Sequence, residues 1–139
     1  MLIFRQLFDA QSSTYTYLLG DSVSREALLI DPVFEHVRRD SALLRELGFK
    51  LVATLDTHAH ADHLSAAPYL QKHLGGKIAI GSHIQDVQKV FKGIFNLEPG
   101  FATDGSQFDH LLKDGEELHF GGLSCSTLFV PGHTPACVA

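Results

Sequence analysis

An apolar run, Leu51-Val52-Ala53-Thr54-Leu55, leads through Asp56 into Thr57-His58-Ala59-His60-Ala61-Asp62-His63, and this junction constrains the chain more than any other feature. The run has the length and composition of a buried strand, which makes the histidine segment a loop at a strand end. An irregular loop lets alternating side chains converge where a helix would splay them. Three imidazoles and a carboxylate in so short a span suit a borderline divalent metal such as zinc or iron. For an arbitrary pair of histidines a solvated polar loop is the better reading; the aspartate and the preceding strand favour metal.

The chain has 139 residues, 45% hydrophobic and 19% charged, which is the balance of an ordinary soluble domain with one core. A single domain over residues 1–139 is expected. The net charge of −5 comes with singly scattered Lys and Arg, so nucleic acid and anionic membrane surfaces are not expected partners and small molecules are. No apolar run approaches the roughly 20 residues that span a bilayer, and Met1-Leu2-Ile3-Phe4-Arg5 lacks the layout of a secretory signal. A cytoplasmic location is the default expectation. Two cysteines, Cys125 and Cys137, are too few for a disulfide-stapled domain. Cys125 fits packing in an alternating run, and Cys137 lies close in sequence to His133 but is better read as a structural thiol.

Periodicity predicts strands near residues 2–8, 14–19 and 26–31, the last ending at the turn signal Asp31-Pro32. A helix is expected over about 35–47, with Val37, Leu43, Leu44 and Leu47 on one side and Gly48 as its stop. After the strand at 51–55 and the histidine loop, a helix should end at Leu74 before Gly75-Gly76. Lys77-Ile78-Ala79-Ile80 reads as a short buried strand. Ser82 and Gln85 resemble a capping box ahead of a helix carrying Ile84, Val87, Val90, Phe91, Ile94 and Phe95 at helical spacing. Residues 99–115 read as loop, and two strands are expected near 116–121 and 123–130. Strand and helix alternate, which implies an α/β layered sheet.

Taken together, the T-H-A-H-A-D-H loop, Leu28-Leu29-Ile30-Asp31-Pro32 upstream and Pro131-Gly132-His133-Thr134 downstream resemble the metallo-β-lactamase superfamily, whose fold is an αββα sandwich. The opening segments Phe4-Arg5-Gln6-Leu7-Phe8-Asp9 and Ser12-Ser13-Thr14-Tyr15-Thr16-Tyr17-Leu18-Leu19, with Leu55-Asp56-Thr57, resemble its persulfide dioxygenase branch (sulfur dioxygenases, ethylmalonic encephalopathy protein-like). The similarity covers nearly the whole chain. It implies an Fe(2+) enzyme that uses O2 to oxidise glutathione persulfide, or a similar small persulfide, to sulfite and thiol in hydrogen sulfide catabolism. His58 and His133 would be primary iron ligands, completed by an aspartate further downstream in the family. Two histidines and one carboxylate leave coordination positions open for sulfur and O2. His60, Asp62 and His63 are motif members that act as ligands or as supporting groups around them. His60 is the favoured extra ligand, and Asp62 is better read as orienting water or an imidazole. No further catalytic residue is implied beyond the ligands.

In the resembling binuclear zinc branch, the glyoxalase II thioesterases, His60 joins His58 at one Zn(2+) while Asp62 and His63 hold a second. That hydrolase is the alternative activity, and a non-catalytic metal-binding remnant is a further one. The Thr14-Tyr15-Thr16-Tyr17 segment favours the dioxygenase, because the thioesterase branch usually carries an asparagine there. Family members continue well beyond the point corresponding to Ala139, so the expectation is the first half of the sandwich without its C-terminal half. Such a half would leave an apolar sheet face exposed, permit a homo-oligomer and show little dioxygenase activity by itself.

The remaining histidines, His36, His73, His83, His110 and His119, read as solvated or structural. Of Tyr15 and Tyr17, one is expected to face the core and the other to approach the site. Asp56 reads either as a partner for a ligand imidazole or as a strand-end turn residue. Gly75-Gly76 terminates a helix and is not a phosphate loop.

Overall fold

A computed structural model of the chain describes residues 1–57, 66–82, 109–130 and 138–139. Within them a six-stranded sheet runs in the order β1 (Leu2–Asp9), β2 (Thr14–Asp21), β3 (Glu26–Ile30), β4 (Lys50–Asp56), β5 (Lys77–Gly81) and β6 (His110–Leu112). The first three strands pair antiparallel, and β3 to β6 pair parallel. A separate two-stranded sheet joins β7 (Glu117–Phe120) to β8 (Leu123–Ser126).

Between β3 and β4 the chain crosses over through a single 3₁₀ turn, Phe34–His36, and helix α1, Val37–Glu46. Gly48, at a φ of 71°, takes the left-handed position that ends this helix. Helix α2, Ala67–Leu74, carries a proline in its first turn, where the missing N–H has no intrahelical partner to lose. Gly75, at a φ of 82°, ends it and donates its N–H to the Gln71 carbonyl. Both helices and the five long strands match the expected pattern. The expected helix beyond Ser82 lies outside the described residues.

Two apolar layers follow from the period-two alternation of the strands. On one face Leu18, Leu29 and Leu51 meet Leu44 of α1, Leu70 of α2 and Ala66 just before it. Leu18, Leu29 and Leu70 are fully buried, and truncating a leucine of this kind to alanine costs roughly 2–5 kcal/mol. On the other face Leu28, Leu55, Ala79 and Leu112 meet Phe120, with Leu118 and Cys125 packed at the margin. The expected first half of an αββα sandwich is borne out, with helices on one face of the large sheet and the small sheet on the other.

Two features differ from the sequence reading, and a third was not read from it. Residues 110–112 are strand, not loop: the Asp and Gly residues around them hide a short edge pairing in which Gly81 lies opposite Leu112. Tyr15 and Tyr17 share one face, their rings 6.3 Å apart, because residues two apart in a strand point the same way. Asp40, three residues after Val37 and four before Leu44 on the apolar side of α1, is fully buried, with Arg39 Nε donating to it at 3.1 Å. Burial pushes its carboxyl pKa up, partly opposed by Arg39.

The two sheets are tied at one end by side chains of the large sheet. Asp21 accepts the Gly122 N–H at 2.9 Å, and Glu26 accepts the Gly121 N–H. These bonds hold the β7–β8 turn against the start of β3.

Candidate metal centre

All five expected ligands, His58, His60, Asp62, His63 and His133, lie outside the described residues, as does Cys137. Among the described residues no group of three or more His, Cys, Asp or Glu side chains gathers to hold a metal. What is placed is the frame that carries the two ligand-bearing segments.

Strand β4 delivers the first segment. Its last residues, Leu55 and Asp56, are buried, and Thr57 follows at the strand end. Asp31, one residue past the end of the neighbouring parallel strand β3, turns its carboxylate onto Thr57. Oδ1 accepts the Thr57 N–H at 2.7 Å and Oδ2 the Thr57 hydroxyl at 2.6 Å. Asp31 is itself buried and sits at a φ of 53°, a left-handed conformation that aspartate tolerates better than most residues. Its backbone is held on both sides: its N–H donates to the Leu55 carbonyl at 2.8 Å, and its carbonyl accepts the fully buried Thr16 hydroxyl at 2.9 Å. On the far side of the histidine-bearing segment, the Ala66 N–H donates to the Pro32 carbonyl at 3.0 Å.

The second segment is anchored on the same strand end. Val138, five residues after His133, donates its N–H to the Thr57 carbonyl at 2.8 Å. Leu128, before the segment, exchanges two backbone hydrogen bonds of 2.8 Å with Ala139, after it. The residues bordering both histidine-bearing segments therefore meet around Thr57. A cavity of about 120 Å³ opens beside them between the sheets, lined by Leu19, Ile30, Leu55, Cys125 and Val138. Its wall is apolar, and burial pushes the Cys125 thiol up, so Cys125 is a packing residue and not a reactive thiolate.

Imidazole and carboxylate donors on two segments anchored at one strand end suit a divalent metal, and this donor chemistry fits the expected group. Three of the four described histidines have partners of their own. His36 Nε2 lies 2.9 Å from Asp9, His110 bonds Glu116, and the His73 ring packs on Tyr69. Their carboxylate partners lie 27 and 6 residues away in sequence, too irregular a spacing to have been read in advance. Asp31 and Thr16 also went unrecognised as parts of the site frame, because Asp31-Pro32 carries a turn signal that masks its bond to a residue 26 positions later.

Residues 10–139 match the metallo-beta-lactamase superfamily, and the chain belongs to it. A probable metallo-hydrolase of Burkholderia pseudomallei is 48% identical to it over 94% of this chain and 48% of its own length. The mitochondrial persulfide dioxygenase ETHE1 of Homo sapiens is 39% identical over 99% of this chain and 46% of its own length. The crystal structure of ETHE1 from Myxococcus xanthus, 37% identical, matches with a TM-score of 0.78 over 98% of this chain and 52% of that one. The chain spans about half the length of the curated relatives it matches. Membership of this superfamily implies a metal cofactor. No helix among the described residues is long and apolar enough to cross a membrane.

Proposed function

We propose that the chain is part of an iron-dependent persulfide dioxygenase acting on glutathione persulfide or a similar small persulfide in hydrogen sulfide catabolism. The observation that carries this reading is the 39% identity to a persulfide dioxygenase along 99% of the chain, taken with the anchoring of both histidine segments on Thr57. His58 and His133 are the proposed iron ligands, with His60, Asp62 and His63 beside them. Bound iron would supply open coordination positions at which persulfide sulfur and O2 meet, replacing a difficult bimolecular encounter. One O2 and one water convert the persulfide to sulfite, thiol and two protons: O2 takes the four electrons and supplies two sulfite oxygens, water supplies the third, and the S–S bond breaks to release the carrier as thiol.

The test is oxygen uptake by the protein as its gene encodes it, with glutathione persulfide as substrate, sulfite quantified, and metal content measured on the same sample. About one iron per chain and sulfite formed in step with oxygen uptake are expected. Absence of persulfide-dependent oxygen uptake by an iron-loaded sample would refute the reading. A cytoplasmic location belongs to the same proposal.

A second reading is hydrolysis of a glutathione thioester at a pair of zinc ions; the 48% identity to a probable metallo-hydrolase supports metal-dependent hydrolysis. Two metals would lower the pKa of an attacking water and stabilise the developing oxyanion. Two zincs per chain with thioester cleavage, and no oxygen uptake, would decide for it.

A further inference from the structure

The eight residues 58–65 begin after Thr57 and end before Ala66, and both of these flanking residues are hydrogen-bonded to the same two-residue turn. Asp31 takes the N–H and hydroxyl of Thr57 on its two carboxylate oxygens, and the Pro32 carbonyl takes the N–H of Ala66. The turn is over-determined. Asp31 sits at a φ of 53°, with its own N–H on Leu55 and its carbonyl bonded to the fully buried Thr16 hydroxyl. A buried carboxylate in left-handed backbone is retained only where surrounding bonds hold it. Two charge-assisted bonds to one residue also fix direction as well as distance. Thr57 is held at three atoms: its N–H and Oγ1 donate to Asp31, and its carbonyl receives the Val138 N–H.

From this we infer that Asp31 is a positioning residue for the metal: its carboxylate, locked in the turn, sets where Thr57 delivers His58. Asp31 does not itself touch the metal in this proposal. It acts through Thr57, as supporting groups around metal ligands do, and loss of such a group typically costs about tenfold to a hundredfold in metal affinity. The inference rests on the metal reading above but not on the persulfide chemistry.

The experiment compares wild type, Asp31→Asn, Thr57→Val and Thr57→Ser in the protein as its gene encodes it. Asn tolerates the left-handed backbone but presents an amide where the carboxylate took two donors. Val removes only the hydroxyl of Thr57, and Ser keeps it. Zinc affinity by chelator competition, cobalt(II) absorption and the melting temperature of the metal-free protein are measured for each. Asp31→Asn and Thr57→Val are expected to bind zinc about tenfold or more weakly and to alter the cobalt(II) band, with Thr57→Ser restoring both. Unchanged zinc affinity and cobalt(II) spectrum in a folded Asp31→Asn would overturn the inference, as would equal loss in Thr57→Ser and Thr57→Val. Should Asp31→Asn fail to fold, the two Thr57 variants decide by the same criteria. A wild type that binds metal but consumes no oxygen with persulfide removes the dioxygenase reading and leaves this one standing. With a wild type that takes up no metal, exchange of the Thr57 amide in the metal-free protein decides: about tenfold faster in Asp31→Asn supports the clamp, and an unchanged rate sinks it.

Discussion

The Val138 N–H donates to the Thr57 carbonyl at 2.8 Å, joining residues 81 positions apart at the point where β4 ends. Thr57 precedes His58 by one residue and Val138 follows His133 by five, so this bond ties together the borders of both histidine-bearing segments. Replacing Val138 by proline deletes the donor, whereas alanine keeps it and trims only the side chain. Zinc affinity is expected to fall about tenfold in Val138→Pro and to change much less in Val138→Ala. Chelator competition on both variants checks this, and equal affinities would mean the bond has no part in assembling the site.

Ligand assignment separates sharply between two histidines. His110 lies on β6 and bonds Glu116, whose carboxyl is held below its ordinary range chiefly by that bond. Among the described residues no hydrogen bond links it to the Thr57 anchor. His58→Ala is expected to abolish metal binding, and His110→Ala to leave metal content unchanged, since an exposed pair of this kind contributes about 1 kcal/mol or less to stability. Metal content of both purified variants decides, and equal loss would show the ligands to be misassigned.

Acid should loosen the fold from its edges. Asp9 is held at a pKa of about 2, first by the Ser12 hydroxyl and amide and further by His36. Asp21 is also held at about 2, chiefly by the amides of Gly122 and Val23. A carboxyl whose pKa is lowered on folding stabilises the fold fully above its unfolded value near 4, and that contribution is lost as pH falls towards 2. Urea midpoints at pH 7 and 5 are therefore expected to agree more closely than those at pH 4 and 2.5. Asp21→Asn should have the lower midpoint at pH 7 and a shallower fall below pH 4. Parallel curves for variant and wild type would contradict a stabilising role for the Asp21 carboxylate between the sheets.

Local pattern made most of the fold legible. The run Leu51–Leu55 and the sets around Leu44 and Leu70 carry their own periodicity, and Gly48 and Gly75 mark helix ends by the backbone they adopt. β6 escaped notice because a three-residue edge strand is defined by its neighbour β5 and not by its own composition. Asp40 stands on the apolar side of α1, three residues after Val37 and four before Leu44, so helical spacing places it inward although its charge argues for the surface. The metal motif was plain in the sequence, whereas its frame was not. Thr16, Asp31, Thr57 and Val138 meet through bonds spanning 15 to 81 positions, and no local spacing encodes such contacts.

On the face of β1 and β2 that looks towards the small sheet, Phe4 packs on Tyr17 at 5.7 Å and Phe8 on Tyr15 at 4.9 Å. β7 and β8 cover the middle of this face, through Leu28, Leu55 and Phe120, and leave the β1–β2 end open. Phe4, Phe8 and Tyr15 are each nearly half exposed, which is unusual for a contiguous aromatic patch on a monomer. The 139-residue chain is therefore expected to bind an apolar dye and to self-associate at micromolar concentration. Changing Phe8 and Tyr15 together to serine removes one ring pair at solvent-facing positions without touching the Leu18 and Leu29 layer. The double variant should lose about half of the dye fluorescence and elute as a smaller species, with its melting temperature little changed. Identical elution and dye binding would show that this face is not the associating surface.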